Sequence, residues 1–299
     1  MKKQLRTSVR VVALAIASFT LITACGSSSS SDTTVAVDTT VAVEAPQRIV
    51  SLSATATEML YAIGAGKQVI AVDEYSNYPA DAVALGTKLN AFEPNIEAIA
   101  AYTPDLVIIS NDMASVTERL KALDITVWVG AAPATIDDAY AQITQLGTAT
   151  GHSDEASQLV TSMKDGISTA IDGVKAPAGT SYFYELDNTY YSVTSNTFIG
   201  SLLSSLGLTN IADGVEAGND YPQLNAEALI KANPGIIFLA DTKCCAQTAA
   251  TVAARPGWSS IAAVKNNAVI ELDDDISSRW GPRIVDLVKQ FADAVKALK

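Results

Sequence analysis

Apolar residues recur along this chain in two rhythms, and the change from one to the other marks out its elements. Over residues 153–174 they step by three and four (Ala156, Leu159, Val160, Met163, Ile167, Ala170, Ile171, Val174), the period of an amphipathic helix. Ser153 is placed to cap that helix, Asp154 and Glu155 load its first turn with acid, and Ala176-Pro177-Ala178-Gly179 stops it. At 1.5 Å per residue the rod is roughly 30 Å long, about the width of a small domain.

The second rhythm is the short, unbroken apolar run that signals a fully buried strand. Shorter β runs are read at 48–52, Val69–Val72, Thr126–Val129 and 269–272, the alternation of Ser181–Glu185 puts Tyr182 and Tyr184 on one face of a further strand, and helical segments alternate with them. Thr55 and Glu58 have the spacing of a capping box, opening a helix that Gly64 ends. Further helices are predicted over 115–123, 135–148, 198–206 and 283–298. One block occurs twice. Asn95-Ile96-Glu97-Ala98-Ile99, a turn at Pro104 and an apolar run to Ile109 return 130 positions later. The second copy is Asn225-Ala226-Glu227-Ala228-Leu229, a turn at Pro234 and a run to Leu239. Each copy reads as a helix behind an asparagine cap, then a buried strand. Strands alternating with helices make parallel sheets covered on both faces. The fold class is therefore α/β: two similar lobes with mostly parallel sheets flanked by helices, bridged by a single long helix. The expected divisions are a lobe at 47–150, the linking helix at 151–176 and a lobe at 177–299.

Composition supports two cores and gives the chain an address. Of 299 residues, 48% are hydrophobic, ample for two lobes. Residues 1–24 stand apart: Lys2, Lys3, Arg6 and Arg10, an apolar stretch over 11–22, then Thr23-Ala24-Cys25. That is a secretory signal, too short for a comfortable membrane span. A cysteine just after small residues resembles a bacterial lipobox, which would leave Cys25 as a lipidated N-terminus; the alternative is an ordinary signal with an incidental cysteine. Residues 25–46, rich in Ser, Thr, Val, Ala and Asp, read as a solvated tether. Losing the signal takes the formal net charge from −12 to −16. So acidic a protein is unsuited to nucleic acid or to anionic headgroups, leaving the lipid anchor as its membrane contact. Cys244 and Cys245 are adjacent in an oxidising compartment, which leaves a strained vicinal disulfide or two free thiols open.

Several stretches, in order and spacing, carry a resemblance that covers residues 48–298. They are the run from Ser51 to Glu58, the Tyr75-Ser76-Asn77-Tyr78-Pro79 loop, Asn95 and Glu97 with the strand after Pro104, and Arg279-Trp280-Gly281-Pro282-Arg283. Together these resemble the substrate-binding proteins of iron-siderophore and vitamin B12 ABC importers. That resemblance implies two lobes about a fixed cleft that closes modestly on ligand. It also implies a monomer, and partnership with permease subunits and their ATPase. It makes Glu97 and Glu227 candidates for docking to permease arginines, the alternative being that both simply serve their helix N-termini.

In α/β folds ligands lie beyond the carboxyl ends of the strands. The loops there put forward Ser53, Thr55, Tyr75, Tyr78, Phe92, Tyr190, Tyr221, Arg279 and Trp280 as ligand contacts. Aromatic faces suit a bulky chelate, and Arg279 is suited to an anionic one or, alternatively, to a bridge with Asp274 or Asp275. Vitamin B12 binders place tryptophans near Phe92 and Tyr221, and siderophore binders often carry more cleft cations, so the resemblance leaves ferric siderophore, corrinoid and haem open. His152 is the only histidine, which argues against a bare-metal site and against a Ser-His-Asp hydrolase; no Gly-x-Ser-x-Gly elbow or phosphate loop occurs. The expected role is an anchored receptor on the outer face of the cell membrane, with no cofactor of its own, that binds a preformed metal chelate.

Overall fold

Among the described residues, eight short strands, all parallel, build two sheets with the same internal order. A computed structural model describes residues 44–298. The signal segment, Cys25 and the tether up to residue 43 lie outside the described residues. In the first sheet β1 (Ile49–Leu52), β2 (Val69–Val72), β3 (Leu106–Ile109) and β4 (Thr126–Val129) are ordered β2-β1-β3-β4. In the second, β5 (Ser181–Glu185), β6 (Thr209–Asn210), β7 (Ile236–Leu239) and β8 (Val269–Glu271) follow the order β6-β5-β7-β8. The repeat in the sequence is thus a repeat of topology, with β3 and β7 in equivalent central places. Both are buried at every position, because helices cover both faces of a parallel sheet.

The helix caps follow local chemistry. The side chains of Asn95 and Asn225 accept hydrogen bonds from the amides of Ala98 and Ala228, opening Ile96–Ala100 and Ala226–Ala232. Thr135 and Asp138 form a reciprocal capping box at Ile136–Thr150. Two expected caps are corrected. Ser53, not Thr55, caps Ala54–Ala62, and Glu58 is engaged elsewhere. Ser153 is already helical, with His152 at the cap position and no side-chain cap bond.

The bridging helix is Ser153–Ile171; it ends short of Val174 because Asp172, at ψ 123°, has left helical space and Gly173, at φ +65°, completes the turn. It packs against Ile136–Thr150 on the first lobe and against the closing helix Ile284–Lys296 on the second. One apolar core runs from Met59 and Ile143 through Met163 to Tyr184, Phe238 and Phe291, so the lobes share a single interior. A smaller cluster around Val50, Val107 and Leu120 fills the opposite face of the first sheet. The expected divisions at 47–150 and 177–299 therefore separate sheets within one compact unit.

Candidate ligand cleft

The carboxyl ends of both sheets open on two adjoining hollows between the lobes. One, about 270 Å³, takes Ser53, Thr55, Asp73, Tyr75, Phe92, Ser110 and Asn111 from the first lobe. The other, about 190 Å³, takes Tyr184, Val193, Phe198, Ile199 and Tyr221 from the second, with Ala132 and Pro133 across from them. Ser278, Arg279 and Trp280 line both and form the divide. Larger hollows occur at residues 157–165 and near the chain's C-terminus, but each lies on a single helix or lobe and lacks aromatic lining.

Of the nine proposed contacts, seven line this cleft. Tyr75 and Phe92 meet edge to face, with ring centroids 5.4 Å apart, and both are about half exposed. Rings held by each other and still open to solvent retain apolar area for a ligand. Trp280 is fixed by its indole N–H, which donates to Gln142 Oε1 at 2.8 Å. Tyr78 and Tyr190 line neither hollow. The Arg283 guanidinium stacks on Tyr78, 4.4 Å from the ring centroid. Tyr190, at φ +71°, turns onto Trp258 and Arg255 in the second lobe.

Arg279 is in the cleft wall but already committed. Nη1 donates to Glu58 Oε1 at 2.8 Å and to Asn77 Oδ1 at 2.9 Å; Nη2 donates to the Tyr75 carbonyl at 2.9 Å and to Asp275 Oδ1 at 2.8 Å. Both terminal nitrogens are thereby filled. Arg279 therefore makes the alternative bridge to Asp275, with Glu58 as a further partner, and its terminal nitrogens keep no free N–H for a ligand anion. Burial works against the charge on Asp275, but Lys243, Asn77 and Arg279 outweigh it and hold its carboxyl below the usual range. Asp73 is the opposite case. It is 3% exposed, and its Oδ1 has no hydrogen-bond partner. Burial pushes its carboxyl above the ordinary range, against weaker help from Ser76 and Arg279.

Sequence reasoning passed over Glu58, Asp73 and Gln142. Glu58 was absorbed into a cap, although its partners stand 221 and 225 positions away. Asp73 was readable: it is the first residue after β2, at a strand's carboxyl end where ligands bind. Glu97 and Glu227 lie exposed at matching places in the first turns of their helices, on the carboxyl-end side of each sheet. Neither has an ion-pair partner among the described residues. Cys244 and Cys245 are free thiols, without the vicinal bond that their adjacency allows. No group of three or more metal-ligating side chains occurs among the described residues, and no described helix is long and apolar enough to cross a membrane.

Comparison with known proteins places this geometry. Residues 49–276 match the model of a family described as periplasmic binding protein. An uncharacterized ABC transporter substrate-binding lipoprotein of Bacillus subtilis is 31% identical over 84% of this chain and 80% of its own length. A vitamin B12-binding protein of Vibrio parahaemolyticus is 28% identical over 87% and 93%. Among solved structures, a protein of Staphylococcus epidermidis described as a possible iron-binding, periplasmic solute-binding protein superposes with a TM-score of 0.72. It is 27% identical, over 84% of this chain and 99% of the other.

Proposed function

The chain belongs to the periplasmic binding protein family, and from that premise we propose that it is the lipid-anchored receptor of an ABC importer for a preformed metal chelate. The observation that carries the ligand class is the cleft's charge. Aromatic rings offer an apolar face, while the terminal nitrogens of its arginine are consumed internally and the one carboxylate oxygen without a partner in its wall belongs to an acid, Asp73. A chelate with an apolar face and no anionic rim fits this best. A corrinoid, rimmed by amides, meets that description, and relatives named as cobalamin- or vitamin B12-binding support it. A neutral or cationic ferric siderophore is the second reading. Haem, with its propionates, would need a cation that Arg279 does not supply.

The receptor binds reversibly, then presents Glu97 and Glu227 to the permease; two carboxylates at equivalent places on two lobes suit a two-point contact. ATP is hydrolysed by other subunits. Cys25 carries the lipid. The relatives are named as binding proteins, and an enzymatic role has no supporting constellation among the described residues.

Titration calorimetry against cobalamin, neutral and anionic ferric siderophores and haemin tests the ligand. Corrinoid binding with exclusion of haemin is expected, and tight binding of haemin or an anionic siderophore would reverse the choice. The double charge reversal Glu97→Lys with Glu227→Lys should abolish uptake in cells yet leave ligand affinity unchanged; normal uptake would end the docking role.

A further inference from the structure

We propose that Asp73 sets the cleft's selectivity by accepting a hydrogen bond from an amide N–H or ammonium group on the ligand rim, and by rejecting a carboxylate placed there. The inference rests on the receptor reading of the cleft.

Asp73 has a structural role in its backbone. Its amide donates to the Ser51 carbonyl at 3.0 Å, and its own carbonyl accepts from the Ser76 amide at 3.3 Å. Those bonds turn the chain from β2 into the Tyr75 loop without calling on Oδ1. That oxygen lies buried, with no partner, on a residue that lines the first-lobe hollow among Ser53, Thr55, Tyr75 and Asn111. A buried acceptor that nothing satisfies is rare in a native fold and calls for an explanation. The nearby cation does not supply one, since the terminal nitrogens of Arg279 serve Glu58, Asn77, Tyr75 and Asp275. Asp275 cannot share the task, because its Oδ1 is taken by Arg279 and its Oδ2 by Asn77 and Lys243. The other polar side chains of this hollow are hydroxyls and an amide, which tolerate either sign of ligand group. Glu74, next in the chain, adds negative potential at Asp73. Asp73 is therefore the one group in this wall that distinguishes a donor from an anion. A site built to receive a donor discriminates strongly against a partner lacking it.

The test uses the purified protein and its Asp73→Asn variant, which keeps volume and turn geometry; a melting curve confirms folding. Calorimetry compares dicyanocobinamide with its isolated monocarboxylate hydrolysis products, and ferrioxamine, which carries an ammonium tail, with its N-acetyl form. The wild-type protein should bind the amide or ammonium form about tenfold or more tightly than the worst-tolerated counterpart. In the variant that ratio should collapse, with the amide form weakened and a carboxylate form strengthened. If both forms weaken equally, or no ratio changes, Asp73 is only a piece of the turn and the selectivity role falls while the receptor reading stands. If the wild-type protein binds none of these chelates, the receptor reading fails and takes the selectivity role with it.

Discussion

Asp241, just past β7, is fully buried beside Glu185, and neither of its carboxylate oxygens has a partner. Arg255 donates to Glu185 and to Gln247, and its guanidinium lies 4.5 Å from the Trp258 ring, so it cannot neutralise both acids. Burial first, then the charge of Glu185, pushes the Asp241 carboxyl up to about 7. An acid whose folded value is raised binds more protons folded than unfolded, so the contribution of this group to stability falls as pH rises from about 4 to 7 and levels off above. Asp241→Asn places a permanent amide donor where the protonated acid would stand. The variant should match the wild type near pH 4 and exceed it by a few kcal/mol near pH 8. Melting temperatures across that range would show it, and parallel curves for the two proteins would refute it.

At the scale of elements, the bridging helix owes its place to small residues. A Cβ on Gly147 would stand 2.4 Å from the Ala156 Cβ and 2.9 Å from the His152 carbonyl oxygen. A Cβ on Gly166 would meet Val285 at 2.8 Å on the other lobe. Gly147→Ala therefore has to push the paired helices apart or bend the turn between them, against the usual gain of alanine in a helix. A loss of about 1–3 kcal/mol is expected by chemical denaturation, and an unchanged midpoint would show that the contact yields freely. Elements of this kind were legible because their causes are local. Asparagine caps, four-residue apolar runs and the three-four step of the bridge each lie within a few residues. The 130-position repeat made the second lobe readable from the first. Long-range pairing was not legible. Glu58 looks like a cap partner from its neighbours, and only the fold brings it to Arg279 and Arg283. Seven of the nine cleft candidates were reached by the rule about strand ends, whereas Tyr78 and Tyr190 were lost to guanidinium groups that no spacing announces.

Across the whole molecule, one buried acid ties the lobes together. Glu58, 2% exposed on the first lobe, accepts from Arg279 at 2.8 Å and from Arg283 Nε at 2.8 Å, both on the segment leading into the closing helix. Asn77 to Asp275 and Trp280 to Gln142 cross the same boundary. Bonds on the cleft side and a shared core on the helix side leave little freedom for the lobes to swing. A ligand must therefore enter a groove already formed, and scattering profiles with and without ligand should nearly coincide. Glu58→Gln keeps the shape but leaves the buried Arg279 and the partly buried Arg283 guanidiniums facing a neutral amide. Removing one partner of such a cluster costs about 3–5 kcal/mol, which for a chain of this size lowers Tm by roughly 10 °C or more. The same variant should loosen the groove, so its scattering profile should change on ligand addition where the wild type's does not. A small loss of Tm together with an unchanged profile would mean that the shared core alone holds the lobes, and the arginines could be exchanged without consequence for the cleft.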